Sequence, residues 1–237
     1  MRELQLSSVA DAVDGRQSGR NTVVSGVSVD SREVRPGHLF VALRGERADG
    51  HDFLDQALGA GASGAMVERE VEGVPSVVVE DTGWALRALA TSERASMAAT
   101  VAGITGSTGK TSAKDLTAAV LEIRFRVAAS PRSFNTEVGV PVTLLNADPA
   151  SDVVICEMGS RGPGHIRELT EVARPALGVV TNVGPAHLEM FGSIEAVANA
   201  KAELVEALPA EGTAVLNADD EIVRGFASRT SARSLLF

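Results

Sequence analysis

Aromatic side chains are scarce in this chain. They make up 3% of its 237 residues, with no tyrosine and one tryptophan, Trp84. The stacking platforms that hold single-stranded nucleic acids are therefore missing. The single cysteine, Cys156, cannot close an internal disulfide, so nothing points to an oxidising compartment. No apolar run approaches membrane-spanning length, and the start, Met1 to Ser8, holds no apolar signal core. Cationic excess is lacking too. A net charge of −9 argues against a general nucleic-acid or anionic-membrane partner, while leaving room for a local phosphate site. The expectation is a cytoplasmic protein, and a monomer. Its 44% hydrophobic and 22% charged content are ordinary for a globular chain long enough for one large domain or two small ones.

What is present centres on residues 101–112. Val101 to Ile104 reads as a buried strand, which breaks into Gly106-Ser107-Thr108-Gly109-Lys110-Thr111 before a helix-compatible run from Ser112 to Leu121. Strand, glycine loop and helix in that order make a phosphate cradle, in which backbone N–H groups and the helix dipole attract the anion. Lys110 would supply a point charge and Thr111 a hydroxyl to Mg²⁺. The strict pattern carries glycine where Ile104 stands, so an ordinary capped glycine turn is the competing reading.

Residues 1–97 alternate helix-like and strand-like stretches. Ser7 or Ser8 could cap a short helix, and Thr82 to Met97 reads as a longer one leading to a boundary. From residue 98 to 237 strands are expected at 101–105, 153–157, 177–182 and 213–217, alternating with helices as in a parallel sheet. Each ends in a polar or glycine cluster: Gly106 onward, Glu157, Asn182 and Asn217. Ligands of open parallel sheets sit beyond such carboxyl ends. The fold class is therefore α/β: a small N-terminal α/β domain, then a mostly parallel-sheet, P-loop ATPase-like domain.

The helix expected over 193–208 holds Lys201 within an apolar stripe of Ile194, Val197, Ala198, Leu204, Val205 and Leu208. Either the lysine snorkels to the surface or it is turned inward for a function. Glu157 closes an apolar run and needs a partner: a cation, a helix N-terminus or an ion pair. His187 lies on a loop after a strand. With Thr111 and Glu157 it is compatible with a Mg²⁺ site.

The chain resembles the Mur ligase family of peptidoglycan synthesis. The match rests on Asp30-Ser31-Arg32 with Gly37 to Phe40, on Asp49 to Phe53, on the phosphate loop, on Ser133 to Pro141, on Glu157-Met158-Gly159, on Thr181 through Lys201 to Glu203, and on Leu216 to Asp220. It covers nearly the whole chain. The resemblance implies that Ser31, Arg32, Asp49, Gly50 and His51 hold the UDP-sugar end of a substrate. It places Asn135 and Thr136 along the central site, although many relatives carry Asn where Thr136 stands. It makes Glu157, His187 and Lys201 metal-site residues beside Thr111, with Lys201 as a carbamate, and sets Asn217 at the adenine. Gly106, Ser107, Thr108, Gly109, Lys110, Thr111 and Ser112 would bind ATP. Ser160-Arg161-Gly162 replaces an Asn-His pair of many relatives and receives no role. The implied reaction is ATP- and Mg²⁺-dependent joining of D-alanyl-D-alanine to UDP-N-acetylmuramoyl-tripeptide through an acyl phosphate, with Lys110, Glu157, His187 and Lys201 as the catalytic set. Other readings are a folylpolyglutamate-synthetase-type ligase, a P-loop NTPase or kinase, and a non-catalytic nucleotide or UDP-sugar-binding fragment. The apolar end, Ser234 to Phe237, reads as a strand at which the chain stops, with the family's C-terminal domain absent.

Overall fold

A computed structural model describes every residue except Arg47, Ala186 and His187, and the side chain of Leu188. The chain divides into two units, Met1–Ala95 and Ser96–Phe237.

The first unit contains β1 (Leu4–Gln5), α1 (Leu6–Ala12), β2 (Arg16–Ser18), β3 (Val23–Val24), β4 (Gly26–Ser28), β5 (His38–Val41), α2 (Leu54–Gly59), β6 (Gly64–Val67), β7 (Ser76–Val78) and α3 (Thr82–Ser96). Its main sheet runs β2-β7-β6-β5-β4, parallel except for β2 against β7. Leu54 and Ala57 of α2 bury against Phe40, Ala65 and Val67 of the sheet. Ser7 and Ser8 do not cap α1, which starts at Leu6 with both inside its first turn. The Asn21 side chain supplies the acceptor instead, taking the Ser7 N–H at 3.0 Å.

The second unit contains β8 (Thr100–Thr105), α4 (Lys110–Leu121), β9 (Val127–Ala129), α5 (Gly139–Asn146), β10 (Val153–Glu157), α6 (His165–Ala173), β11 (Leu177–Val180), α7 (Leu188–Phe191), α8 (Ile194–Glu206), β12 (Thr213–Leu216), α9 (Glu221–Gly225) and β13 (Arg233–Leu236). Among the described residues its sheet has six strands, all parallel, in the order β9-β10-β8-β11-β12-β13. The chain leaves β8 toward β10 and β9 on one side and reaches β11 and β12 on the other. A crevice opens at that switch, beyond the carboxyl ends of β8, β10 and β11.

Alternation along β8 decides which helix reaches this crevice. Ile104 packs with Ala118 of α4 and with Ile155 on one face. Gly103 points to the opposite face, where a Cβ would meet Leu204 of α8 at 2.8 Å. Its register partner Gly178 on β11 lies under Leu204 and Leu208 in the same way. This bare seam lets α8 press directly on the sheet. Lys201, one turn before Leu204, is thereby brought to the crevice.

Lys114 of α4 is 2% exposed, and sequence periodicity does not single it out. It donates to the carbonyls of Ser130 at 2.7 Å and Arg132 at 2.8 Å, and meets Asp115 at 3.1 Å. It thereby tethers the segment between β9 and α5 to α4. Lys114→Met leaves those carbonyls without their donor and is expected to destabilise the chain by about 2 kcal/mol. A urea unfolding midpoint equal to that of the unaltered chain would contradict this.

Candidate functional site

Gly106 ends β8 with φ +149° and Gly109 precedes α4 with φ +77°, backbone conformations that favour glycine. A Cβ on Gly106 would also collide with the Thr181 hydroxyl. The loop between them is braced from β11. The Ser107 N–H donates to the Asn182 carbonyl at 3.0 Å, and the Thr108 N–H to Asn182 Oδ1 at 2.9 Å. The Thr181 hydroxyl donates to the Thr108 carbonyl at 2.7 Å. Because Thr181 and Asn182 turn to this task, β11 stops at Val180, short of the expected 182. The donors left for an anion are the first-turn N–H groups of α4 at Lys110, Thr111 and exposed Ser112, which no side chain caps.

Lys110 folds over this opening, its ammonium donating to the Gly106 carbonyl at 2.7 Å. Burial lowers its pKa, and the charge of Glu157 works against that drop. Glu157 is 1% exposed at the end of β10. Its hydrogen bonds come from neutral donors, with the charge of Lys110 nearby. The Thr111 hydroxyl reaches Oε2 at 2.9 Å and the Asn135 amide reaches Oε1 at 2.8 Å. Thr136 accepts from the Gly139 N–H at 3.4 Å at the head of α5 and lines the same cleft. A hydroxyl that donates to a carboxylate keeps its lone pairs for a cation. Thr111 and Glu157 therefore offer hard oxygen ligands beside a phosphate cradle, a set that suits Mg²⁺, which keeps waters and shares phosphate oxygens.

Lys201 is 4% exposed, so it does not snorkel. Its amine forms no hydrogen bond with the described residues. Burial, then the nearby charge of Lys110, lower its pKa from 10.5 to about 8, with Glu203 opposing. Lys110, Asn135, Thr136, Lys201 and the loop glycine Gly106 line one cleft of about 430 Å³. Asn217 is not among its lining residues. Its amide donates to the Thr181 carbonyl at 2.8 Å and its Oδ1 accepts from the Asp219 N–H at 2.9 Å, which steadies the brace on the phosphate loop. Asp220 adds a second strut, accepting the Val183 N–H at 2.8 Å. His187 lies outside the described residues.

The remaining candidates sit in the first unit. The Ser31 hydroxyl donates to Gln56 at 2.8 Å, and exposed Arg32 pairs with Asp30 at 2.6 Å. The Asp49 carboxylate accepts the backbone N–H and ring Nδ1–H of His51, which with Arg69 nearby hold its pKa down at about 2. His51 Nε2 accepts from the Glu68 N–H at 2.9 Å, so both ring nitrogens are engaged within the unit. Gly50 passes so close to Leu43 that a Cβ there would meet its backbone at 2.7 Å. Sequence reasoning did not find Thr181, Asp220, Glu203 or Lys114 as structural supports. Their signal is a polar residue placed at a strand end or within a buried stripe.

The sheet order and the glycine loop at its switch point define an α/β unit of the P-loop type. The chain belongs to the Mur ligase family: the Mur ligase middle domain matches residues 104–237 and the catalytic domain of the Mur ligase family matches residues 23–105. It is 44% identical to the UDP-N-acetylmuramoyl-tripeptide–D-alanyl-D-alanine ligase of Mycobacterium tuberculosis, over 98% of this chain and 52% of that protein. The chain thus spans about half the length of the curated relatives it matches. A crystal structure of MurF from Acinetobacter baumannii superposes with a TM-score of 0.89 at 27% identity, covering 100% of this chain and 54% of that one. MurF ligase from Thermotoga maritima in complex with ADP gives 0.78 at 36% identity, over 90% and 50%.

The lowered Lys201 pKa carries a signed prediction. Below pH 8 the amine is charged in both states and its burial cost is fully present. Between 8 and 10.5 the unfolded chain holds the extra proton, so stability rises with pH. Lys201→Met is therefore expected to stabilise the chain at pH 7 by about 3 kcal/mol, an advantage that shrinks toward pH 10.5. Urea unfolding at pH 7 and pH 10 tests it. An equal difference at both values would refute the burial argument.

Proposed function

We propose that this chain carries the nucleotide and peptide-precursor half of an ATP-dependent carbon–nitrogen ligase. In this reading the reaction joins D-alanyl-D-alanine to UDP-N-acetylmuramoyl-tripeptide, in the cytoplasm. The observation that carries it is the convergence of Lys110, Thr111, Glu157 and Lys201 at one sheet edge, in a chain 44% identical to a relative of that name. The ADP complex of the Thermotoga maritima relative supports the nucleotide part.

The first-turn N–H groups of α4 receive the phosphates, and Lys110 exchanges its carbonyl contacts for their charge. Thr111 and Glu157 would hold Mg²⁺, with His187 and Lys201, the latter as its carbamate, the further candidates. When bound, that ion neutralises charge and orients the phosphates. Phosphoryl transfer is mostly positioning and charge stabilisation, and the Asn182 brace limits how far the loop can drift. A tripeptide carboxylate oxygen attacks the γ-phosphorus of ATP and expels ADP, giving the acyl phosphate; the amine of D-alanyl-D-alanine then attacks the acyl carbon, expelling phosphate and giving up a proton. Ser31, Arg32 and the Asp49-Gly50-His51 turn are assigned to the UDP end, Asp49 and Arg32 by direct contact and His51 through Asp49. Asn217 is assigned to the adenine side through the loop that it steadies.

The test is Mg-ATP binding by calorimetry. Lys110→Ala removes a charge-assisted contact and is expected to weaken affinity about 10- to 100-fold. A change within threefold would sink the assignment. Phosphate release that depends on both UDP-N-acetylmuramoyl-tripeptide and D-alanyl-D-alanine tests the reaction, and release indifferent to both would favour a simple NTPase.

A further inference from the structure

Arg161 and His165 line the cleft that holds Lys110 and Lys201, yet nothing above gives them a task. They sit on the turn from β10 into α6, and that turn is held from three directions. The Gly159 N–H donates to the Asn135 carbonyl at 2.7 Å. The Ser160 hydroxyl donates to the Gly162 carbonyl at 2.8 Å. The buried Glu203 carboxylate accepts the Gly164 N–H at 2.7 Å and the Arg167 N–H at 3.0 Å.

The two side chains nevertheless keep their donors free. His165 Nδ1 accepts the Arg161 N–H at 3.3 Å, which places the ring proton on Nε2. Neither that Nε2–H nor the Arg161 guanidinium meets an acceptor among the described residues. His165 is also the first residue of nine-residue α6, where the helix dipole favours negative charge. A guanidinium fork and a ring N–H lining one cleft together offer donors for the two oxygens of a carboxylate. Glu137 and Glu168 line the same cleft, so a bare anion is not the best complement. A carboxylate carried together with an amine meets both signs.

We propose that Arg161 and His165 form the subsite for a carboxylate of the peptide's terminal amino-acid residue. The inference rests on the ligase reading above and names how its peptide substrate is recognised. It places that carboxylate in the same cleft as the phosphate loop, which the reaction requires.

Calorimetry on the 237-residue chain tests it, with Mg-ATP and with UDP-N-acetylmuramoyl-tripeptides ending in lysine or in diaminopimelate. Exposed Arg161 can be changed without disturbing the core. Arg161→Ala is expected to weaken tripeptide binding about 10- to 100-fold, with Mg-ATP affinity moving less than about twofold, and Arg161→Lys to recover part of the loss. Loss on both peptides assigns the subsite to the α-carboxylate. Loss on the diaminopimelate peptide alone assigns it to the side-chain carboxylate. Tripeptide affinities within about twofold in both Arg161→Ala and His165→Phe overturn the proposal while leaving the ligase reading intact. If the unaltered chain binds neither tripeptide, the ligase reading fails and the subsite falls with it.

Discussion

A carboxylate buried at the end of a β-strand fixes the chemistry of the second unit. Glu157 would be costly there without partners. Its N–H donates to Ser130 Oγ at 3.1 Å, while its two oxygens accept from Thr111 and Asn135. Those contacts join β10 to the head of α4 and to the segment before α5. Lys114 closes the circuit by holding Ser130 and Arg132 from α4. Three pieces of chain far apart in sequence thus meet around one negative charge, which holds the Thr111 hydroxyl and the Asn135 amide in place.

Much of this was legible in the sequence. The four expected parallel strands appear within two residues of their expected ends, because apolar β-branched runs bounded by polar clusters leave few alternatives. The phosphate loop was readable from its glycines, and α4 begins two residues before expectation since Gly109 turns the chain into it directly. Lys201 was suspect because a cation interrupts an apolar stripe, and its burial follows from the Gly103 and Gly178 seam under α8.

What sequence patterns do not encode is the direction in which a polar side chain at a strand end turns. Asn182 looked like a rim residue facing a ligand, but it supports the phosphate loop instead. Glu157 invited a cationic partner and has the charge of Lys110 nearby, but its hydrogen bonds come from a hydroxyl and an amide. The resemblance implies that His51 belongs to the segment at the UDP end, and the pattern does not show that its two ring nitrogens engage Asp49 and the Glu68 N–H. In each case the contact spans distant sequence or an unpredictable turn, and period and propensity say nothing about it.

Helix α8 carries Lys201 into the cleft and, two residues later, uses Glu203 to clamp the turn bearing Arg161 and His165. One rigid rod therefore sets the spacing between the two walls. Its seat on the sheet is two glycines wide, so an added methyl group at Gly103 would press on the ends of the Leu204 and Met158 side chains. Leu204 lies one turn from Lys201, so repacking there would be felt beside the cleft while leaving every polar contact residue in place.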